Sequence, residues 1–228
     1  QTFSAQEIIE TAKQAQIIDE RDGVFLWRKL QDGLESGKTW TVLADALDDE
    51  PYVSSQMNPM VFYSQQAADG LRLAAQALGT TQMAFVVYHE IYDLRKPLPK
   101  QIEGIPVQSV KGRYPTEIYL NLDLAEESPF LIGVCALIHL YRAIYENRIQ
   151  TTCFLTVAGN CVATPSNFEV TVGMTASQIF DRSGLSDDPT RIIAGGPMTG
   201  TCITDPDTFR VGATTRALLA LRENEKDR

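Results

Sequence analysis

Residues 60–88 read MVFYSQQAADGLRLAAQALGTTQMAFVVY, and the order of the parts in this stretch sets the fold class. From Met60 to Leu78, the apolar residues Phe62, Ala67, Leu71, Ala74 and Leu78 fall near one face of a helix. Gly79 supplies the left-handed stop that a helix C-terminus favours. Met83 to Tyr88 then forms an unbroken apolar run of strand length. Such a run fits a strand buried on both faces. A helix led into that strand by a short glycine turn is the crossover of a parallel sheet. The expected class is α/β.

Working toward the N-terminus, Trp40 to Ala46 is rich in strand formers and reads as a second buried strand, ending at the acidic turn Asp48-Asp49-Glu50-Pro51. Val24 to Leu34 reads as a short helix with Trp27 and Leu30 on its apolar side. Ser4 followed by Glu7 is a capping box, and it opens a first helix through Ile8, Ile9, Ala12 and Ala15.

Toward the C-terminus, residues 97–103 read as a loop and Val107 to Val110 as a strand, followed by the basic turn Lys111 to Pro115. Leu131 to Glu146 reads as a long helix that Asn147 ends. The texture then changes. Thr151 to Val157 and Asn167 to Val172 are β-rich runs joined through Gly159 and Pro165. A helix over 175–183 follows, capped by Thr175. Strand, loop, strand and helix in so short a span read as a compact β-grasp-like unit. Ile192 and Ile193 lead into the glycine-rich turn Gly195-Gly196-Pro197-Met198-Thr199-Gly200, and Thr214 to Glu225 reads as a final helix.

The chain has 228 residues, 44% of them hydrophobic, which suffices for a sizeable core. Its formal net charge of -9 repels nucleic-acid phosphates and anionic membranes, so neither is expected as a partner. No apolar run approaches the roughly 20 residues that a membrane-spanning helix needs. The N-terminus lacks the pattern of a signal peptide, and the expected location is cytoplasmic. Cys135, Cys153, Cys161 and Cys202 show no C-x-x-C spacing, so four reduced thiols are preferred over a metal or cluster site. A Cys153–Cys161 disulfide is the minority alternative.

Several groups are candidates for ligand chemistry. Asp45, Asp48, Asp49 and Glu50 offer the oxygens a divalent cation takes. A solvated loop that caps a crossover helix is the preferred alternative. The end of a strand is nevertheless the first place to look for a ligand in this class. Lys111, Arg113 and Tyr114 form a basic, aromatic turn suited to an anion, against simple surface solubility. Gly195, Gly196 and Gly200 present backbone N–H groups that suit a phosphate; the competing reading is a tight turn packing the tail on the sheet. His89 and His139 have no catalytic companions in the sequence, so a general-base role is not expected of either.

These residues also carry a family resemblance. Val157-Ala158-Gly159-Asn160, with Pro165 to Val170 and Val172-Gly173-Met174-Thr175, resembles the soluble-ligand-binding β-grasp (SLBB) motif. Ile193 to Gly200 is similar to the glycine turn that follows that module in the C subunit of the Rnf electron-transport complex. Asp49-Glu50-Pro51-Tyr52 resembles the Glu-Pro-Tyr element of the same family. The likeness spans about Ala5 to Leu221. It implies a Rossmann-like domain over 1–148, an SLBB module over 149–186, and a glycine turn with a C-terminal helix over 187–228 packing on the first domain. Glu50, Tyr52 and Lys29 match family positions, and this makes them ligand candidates.

The resemblance also implies where FMN and NADH bind in such relatives: a loop reading Gly-Gly-Ala-Gly-Phe-Pro-Thr with a lysine soon after. Here the stretch reads Glu20-Arg21-Asp22-Gly23-Val24-Phe25-Leu26-Trp27-Arg28-Lys29-Leu30, and only Gly23, Lys29 and Leu30 match. Acidic side chains repel a dianion, and their bulk denies it bare backbone. Two further elements differ, at Gln56-Met57-Asn58 and at Thr116-Glu117-Ile118-Tyr119. The family's cysteine-rich ferredoxin segment has no counterpart in the chain, which argues against electron relay. The expected function is that of a non-flavin accessory protein of redox metabolism. It would carry no cofactor and would bind other redox-complex subunits or a small cofactor-like ligand, with cobalamin as one option. The alternatives are an active electron-transfer subunit that retains FMN and NADH, and a structural scaffold.

Overall fold

The computed structural model describes residues 3–88, 99–111, 114–116 and 128–222. The chain forms two compact units. The first comprises residues 1–49 and 56–150, and the second comprises 50–55 and 151–228. Each has its own five-stranded sheet.

In the first unit, α1 (Ala5–Gln14) starts from a complete Ser4–Glu7 capping box. A turn leads to α2 (Leu26–Glu35), and β1 (Thr41–Ala46) follows with every residue buried. The next elements are α3 (Met57–Phe62), α4 (Ser64–Ala77), β2 (Met83–Tyr88), β3 (Gln101–Ile102), β4 (Ile105–Val110), β5 (Pro129–Gly133) and α5 (Val134–Glu146). The sheet order is β3-β4-β2-β1-β5. β4, β2, β1 and β5 run parallel, and β3 pairs antiparallel at one edge. This is the parallel sheet with crossover helices read from residues 60–88, with Gly79 at φ +68.

On one sheet face, Leu43, Leu47, Ala84, Val86 and Val110 form a buried cluster. α4 and α5 pack closely, because Gly70 lets the backbones approach: a Cβ there would overlap the Leu137 carbonyl oxygen.

Two helix expectations in this unit need correction. The single helix expected over 60–78 is two helices broken at Tyr63, whose backbone leaves the helical region at φ -111, ψ 41. The Tyr63 ring meets the Arg142 guanidinium 5.0 Å from its centroid and packs edge-on to Phe62, so tertiary contacts override the helical period. The helix expected over 131–146 begins only at Val134. Residues 129–133 form β5, in register with β1 from Thr41↔Pro129 to Asp45↔Gly133. Nothing in a continuous apolar run marks the change from strand to helix. The loop expected over 97–103 contains β3 in its described part.

The second unit contains β6 (Thr152–Ala158), β7 (Ser166–Thr171), α6 (Ala176–Ser183), β8 (Arg191–Ala194), β9 (Thr201–Ile203) and β10 (Ala217–Leu221), in sheet order β7-β6-β10-β8-β9. Thr175 caps α6 with a full capping box to Gln178. Ile179 and Phe180 of this helix bury against Leu155, Val157, Leu218 and Ala220. On the opposite face, Ala217 and Leu219 pack with Val53, Ala158 and Ile193.

The C-terminal helix expected over 214–225 is therefore a strand, β10, up to Leu221, and residues 223–228 lie outside the described residues. Its alternate side chains face two buried surfaces, so the sequence shows no polar alternation. The Ala and Leu residues favour a helix by propensity, but central strand pairing to β6 and β8 decides the outcome. The glycine turn is the connection between β8 and β9. With β10, these strands complete the second sheet in place of the expected helical tail.

Candidate functional site

In the first unit, the chemistry gathers where β1 and β5 end and α5 begins. The turn 19–24 is closed by Asp19 N–H donating to the Val24 carbonyl and Gly23 N–H donating to the Asp19 carbonyl, with Gly23 at φ +75. This turn directs two carboxylates at the N-terminus of α5. Asp19 accepts from Gly133 N–H at 3.1 Å, and Glu20 accepts from Cys135 N–H and Ala136 N–H at 2.9 Å each. Helix N-termini carry unpaired donors and a partial positive charge, so they draw anions. Here the chain supplies the anion. A Cβ built on Gly133 would overlap the Glu20 carboxylate, so only glycine permits this approach.

The surrounding charges are tied together. Lys29 Nζ donates to Asp19 at 2.5 Å, to Asp22 at 2.7 Å and to the Leu131 carbonyl at 3.0 Å. Arg21 Nε donates to Asp45 at 2.9 Å. Two cations thus face four carboxylates. Asp19, Glu20 and Asp45 are buried. Removal from water, followed by the nearby Asp19 charge, pushes the Glu20 pKa up to about 7, against the pull of its backbone hydrogen bonds.

The carboxylates of the acidic turn are hydrogen-bonded, with Asp45 and Asp48 buried and Asp49 and Glu50 half-buried. Asp45 accepts from Leu47 N–H at 2.8 Å as well as from Arg21. Asp48 is buried and accepts from Gln56 N–H and Met57 N–H at 3.0 and 2.8 Å, capping α3. Asp49 accepts from Thr116 N–H at 2.7 Å. Among the described residues, no group of three or more acidic, His or Cys side chains is arranged to hold a metal ion. Lys111 is exposed beyond β4, and Tyr114 is half-buried. Arg113 and His89 lie outside the described residues. His139 is buried within α5.

In the second unit, the glycine turn and Glu50 come together. Met198 N–H donates to Glu50 at 2.8 Å and Thr199 N–H at 3.4 Å, and the Thr199 hydroxyl donates to the other carboxylate oxygen. A Cβ on Gly196 would overlap that carboxylate. Gly195 has φ +99 and donates to the Ala217 carbonyl, and Gly200 N–H donates to the Gly196 carbonyl at 2.8 Å. The turn does cradle an anion, and that anion is the chain's own Glu50. Tyr52 is 55% exposed at φ +68. The four cysteines are free, with Cys202 exposed and the others buried.

The sequence alone did not point to the donors Gly133, Cys135 and Ala136. The available signal was Gly133 itself, sitting between a strand-length apolar run and a helical one.

Several C subunits of ion-translocating complexes match most of this chain in sequence. The C subunit of the ion-translocating oxidoreductase complex of Rhodobacter capsulatus is 26% identical over 212 residues, covering 81% of this chain and 39% of that protein. By sequence, the chain is similar to these Rnf-type C subunits. The C subunit of the Na(+)-translocating ferredoxin:NAD(+) oxidoreductase complex of Acetobacterium woodii is 20% identical over 205 residues, covering 81% of this chain and 46% of that one. The C subunit of the ion-translocating oxidoreductase complex of Buchnera aphidicola is 22% identical over 218 residues, covering 88% and 43%.

The chain thus spans about two fifths of the length of these relatives. No family model matches it. Its fold matches that of an NAD+-reducing [NiFe]-hydrogenase in the H2-reduced state, with a TM-score of 0.77 at 13% identity over 95% of this chain and 47% of the hydrogenase chain. No described helix is long and apolar enough to cross a membrane.

Proposed function

We propose that this chain is an accessory module of a cytoplasmic-side redox complex that keeps the α/β fold of its relatives and works without a flavin. The observation that carries this reading is the pair of carboxylates at the start of α5. Gly133, Cys135 and Ala136 N–H groups all donate to Asp19 or Glu20. A flavin phosphate at this terminus would need those donors, and it would meet a carboxylate cluster that holds more acids than bases. The residues present do not fit it. Lys29, the one basic match to the family loop, spends its donors on Asp19, Asp22 and Leu131. The module would then serve through its surfaces, binding neighbouring subunits of the complex or a small ligand.

The test is an FMN titration of the purified chain, followed by flavin fluorescence and thermal melting. The proposal expects free-flavin fluorescence and an unmoved melting temperature. Stoichiometric retention of FMN would overturn it and favour an active electron-transfer subunit. A parallel melt in inorganic phosphate compares the native chain with Glu20→Gly. Phosphate should stabilise only the variant, because only the variant has bare donors.

A further inference from the structure

In the second unit, a pocket of about 300 Å³ opens between α6 and the strand that follows it. Phe180, Leu185, Ile192 and Pro206 line it with apolar side chains, Ser177 and Asp181 are its polar side chains, and Gly184 completes the lining. Ser177 and Asp181 stand one helical turn apart, so both side chains fall on the same face of α6, with Phe180 beside them. Phe180 is only 3% exposed and forms the floor, whereas Leu185 is 44% exposed at the rim.

Among the described residues, neither the Asp181 carboxylate nor the Ser177 hydroxyl has a side-chain hydrogen bond or ion pair, although most other carboxylates discussed above are matched to N–H groups or cations. Arg182, the next residue, turns its guanidinium to the Met174 sulfur at 3.7 Å, and no basic side chain lines the pocket. A small apolar pocket with one carboxylate and one hydroxyl at its edge has the composition of a small-molecule site rather than of a packing defect.

We propose that this pocket binds a small organic cation: a primary amine with an aromatic or short alkyl body. The ammonium donates to the Asp181 carboxylate and the Ser177 hydroxyl, and the body lies on Phe180, Leu185 and Ile192. Charge selects the class. An organic anion would face the Asp181 carboxylate with no basic side chain in the lining to offset it, a neutral alcohol would leave that carboxylate without a counter-charge, and a bare metal ion would find a single acidic ligand. The net charge of -9 raises the local concentration of cations around the chain. The amine site is independent of whether flavin binds the first unit.

The experiment is a titration of the full chain with phenethylamine, followed by amide NMR shifts, with phenethyl alcohol as the uncharged control. The expected result is saturable shifts confined to 176–185 and the neighbouring β8, with binding at least tenfold tighter for the amine than for the alcohol. Asp181→Asn should remove that preference. Asp181 is exposed, so the variant should keep its fold, and its unchanged amide spectrum elsewhere is the check. Absent shifts, shifts unaffected by Asp181→Asn, or equal binding of amine and alcohol would each overturn the proposal.

Discussion

Replacing Glu20 with glutamine should remove a large part of the pH dependence of the first unit's stability. Glu20 is buried, and burial together with Asp19 raises its pKa to about 7 in the folded chain, against an ordinary value of 4.5. A raised carboxylate pKa means that the folded state binds the proton more tightly than the unfolded state does. The stability this confers is therefore complete below about pH 4.5 and is lost as the pH rises through 7. At 1.36 kcal/mol for each pH unit between the two values, the loss comes to roughly 3 kcal/mol by pH 8.5. Glutamine cannot ionise. It keeps one oxygen for Cys135 or Ala136 N–H and turns an amide NH2 toward the other, leaving one donor unmatched at a cost of about 1–3 kcal/mol at every pH. Wild type should thus be the more stable protein at pH 5, and the gap should close or invert at pH 8.5. Urea unfolding across that range, followed by tryptophan fluorescence, measures it. Both tryptophans, Trp27 and Trp40, lie in the first unit, so the signal reports that unit. Taking the difference between the two proteins cancels other titrating groups. A difference constant to within about 0.5 kcal/mol from pH 5 to 8.5, the size of an ordinary surface effect, would refute the reasoning.

Other consequences follow from the same contacts. Lys29→Met strips the buried Asp19 carboxylate of its cation and should cost roughly 3–5 kcal/mol in urea unfolding, with partial recovery on adding Asp19→Asn. Glu50→Gln weakens the hold on the glycine turn, so hydrogen exchange at the Met198 amide should speed up about tenfold while global stability falls by about 1 kcal/mol or less. Among the cysteines, Cys202 should react first with an aromatic disulfide reagent. The Cys153 thiol should stay inert in the native chain, because burial and then Glu169 push its pKa up to about 12.

What could be read from the sequence depended on whether an element shows its pattern locally. The crossover from α4 through Gly79 to β2 was legible because period, stop and apolar run occur in succession within one segment. The caps at Ser4 and Thr175 were legible for the same reason, since a capping box is complete within four residues. β5 and β10 were not. Each is apolar on both faces, and such a run has no period to separate strand from helix until its neighbours, β1 for one and β6 and β8 for the other, are in place. The acidic character of residues 19–22 was plain, but its use was not. That Glu20 meets Ala136 involves a separation of 116 residues, which no local pattern encodes.

One arrangement recurs in places that the chain builds independently. Asp19 and Glu20 meet the N–H groups at the start of α5, Asp48 meets those at the start of α3, and Glu50 meets those of the glycine turn. Each cluster of backbone donors is one that would otherwise attract a free anion, and each holds a carboxylate tethered by the chain itself. A tethered group competes at an effective concentration set by geometry rather than by solution. A free anion must match that concentration and also return a buried carboxylate to water. At α5 the return is hardest, because both carboxylates are buried on the closed 19–24 turn and Lys29 holds Asp19 in place. At the glycine turn Glu50 is only half-buried, so displacement there costs less. If any of the three donor clusters exchanges its internal carboxylate for an external anion, the glycine turn should do so first and the α5 terminus last.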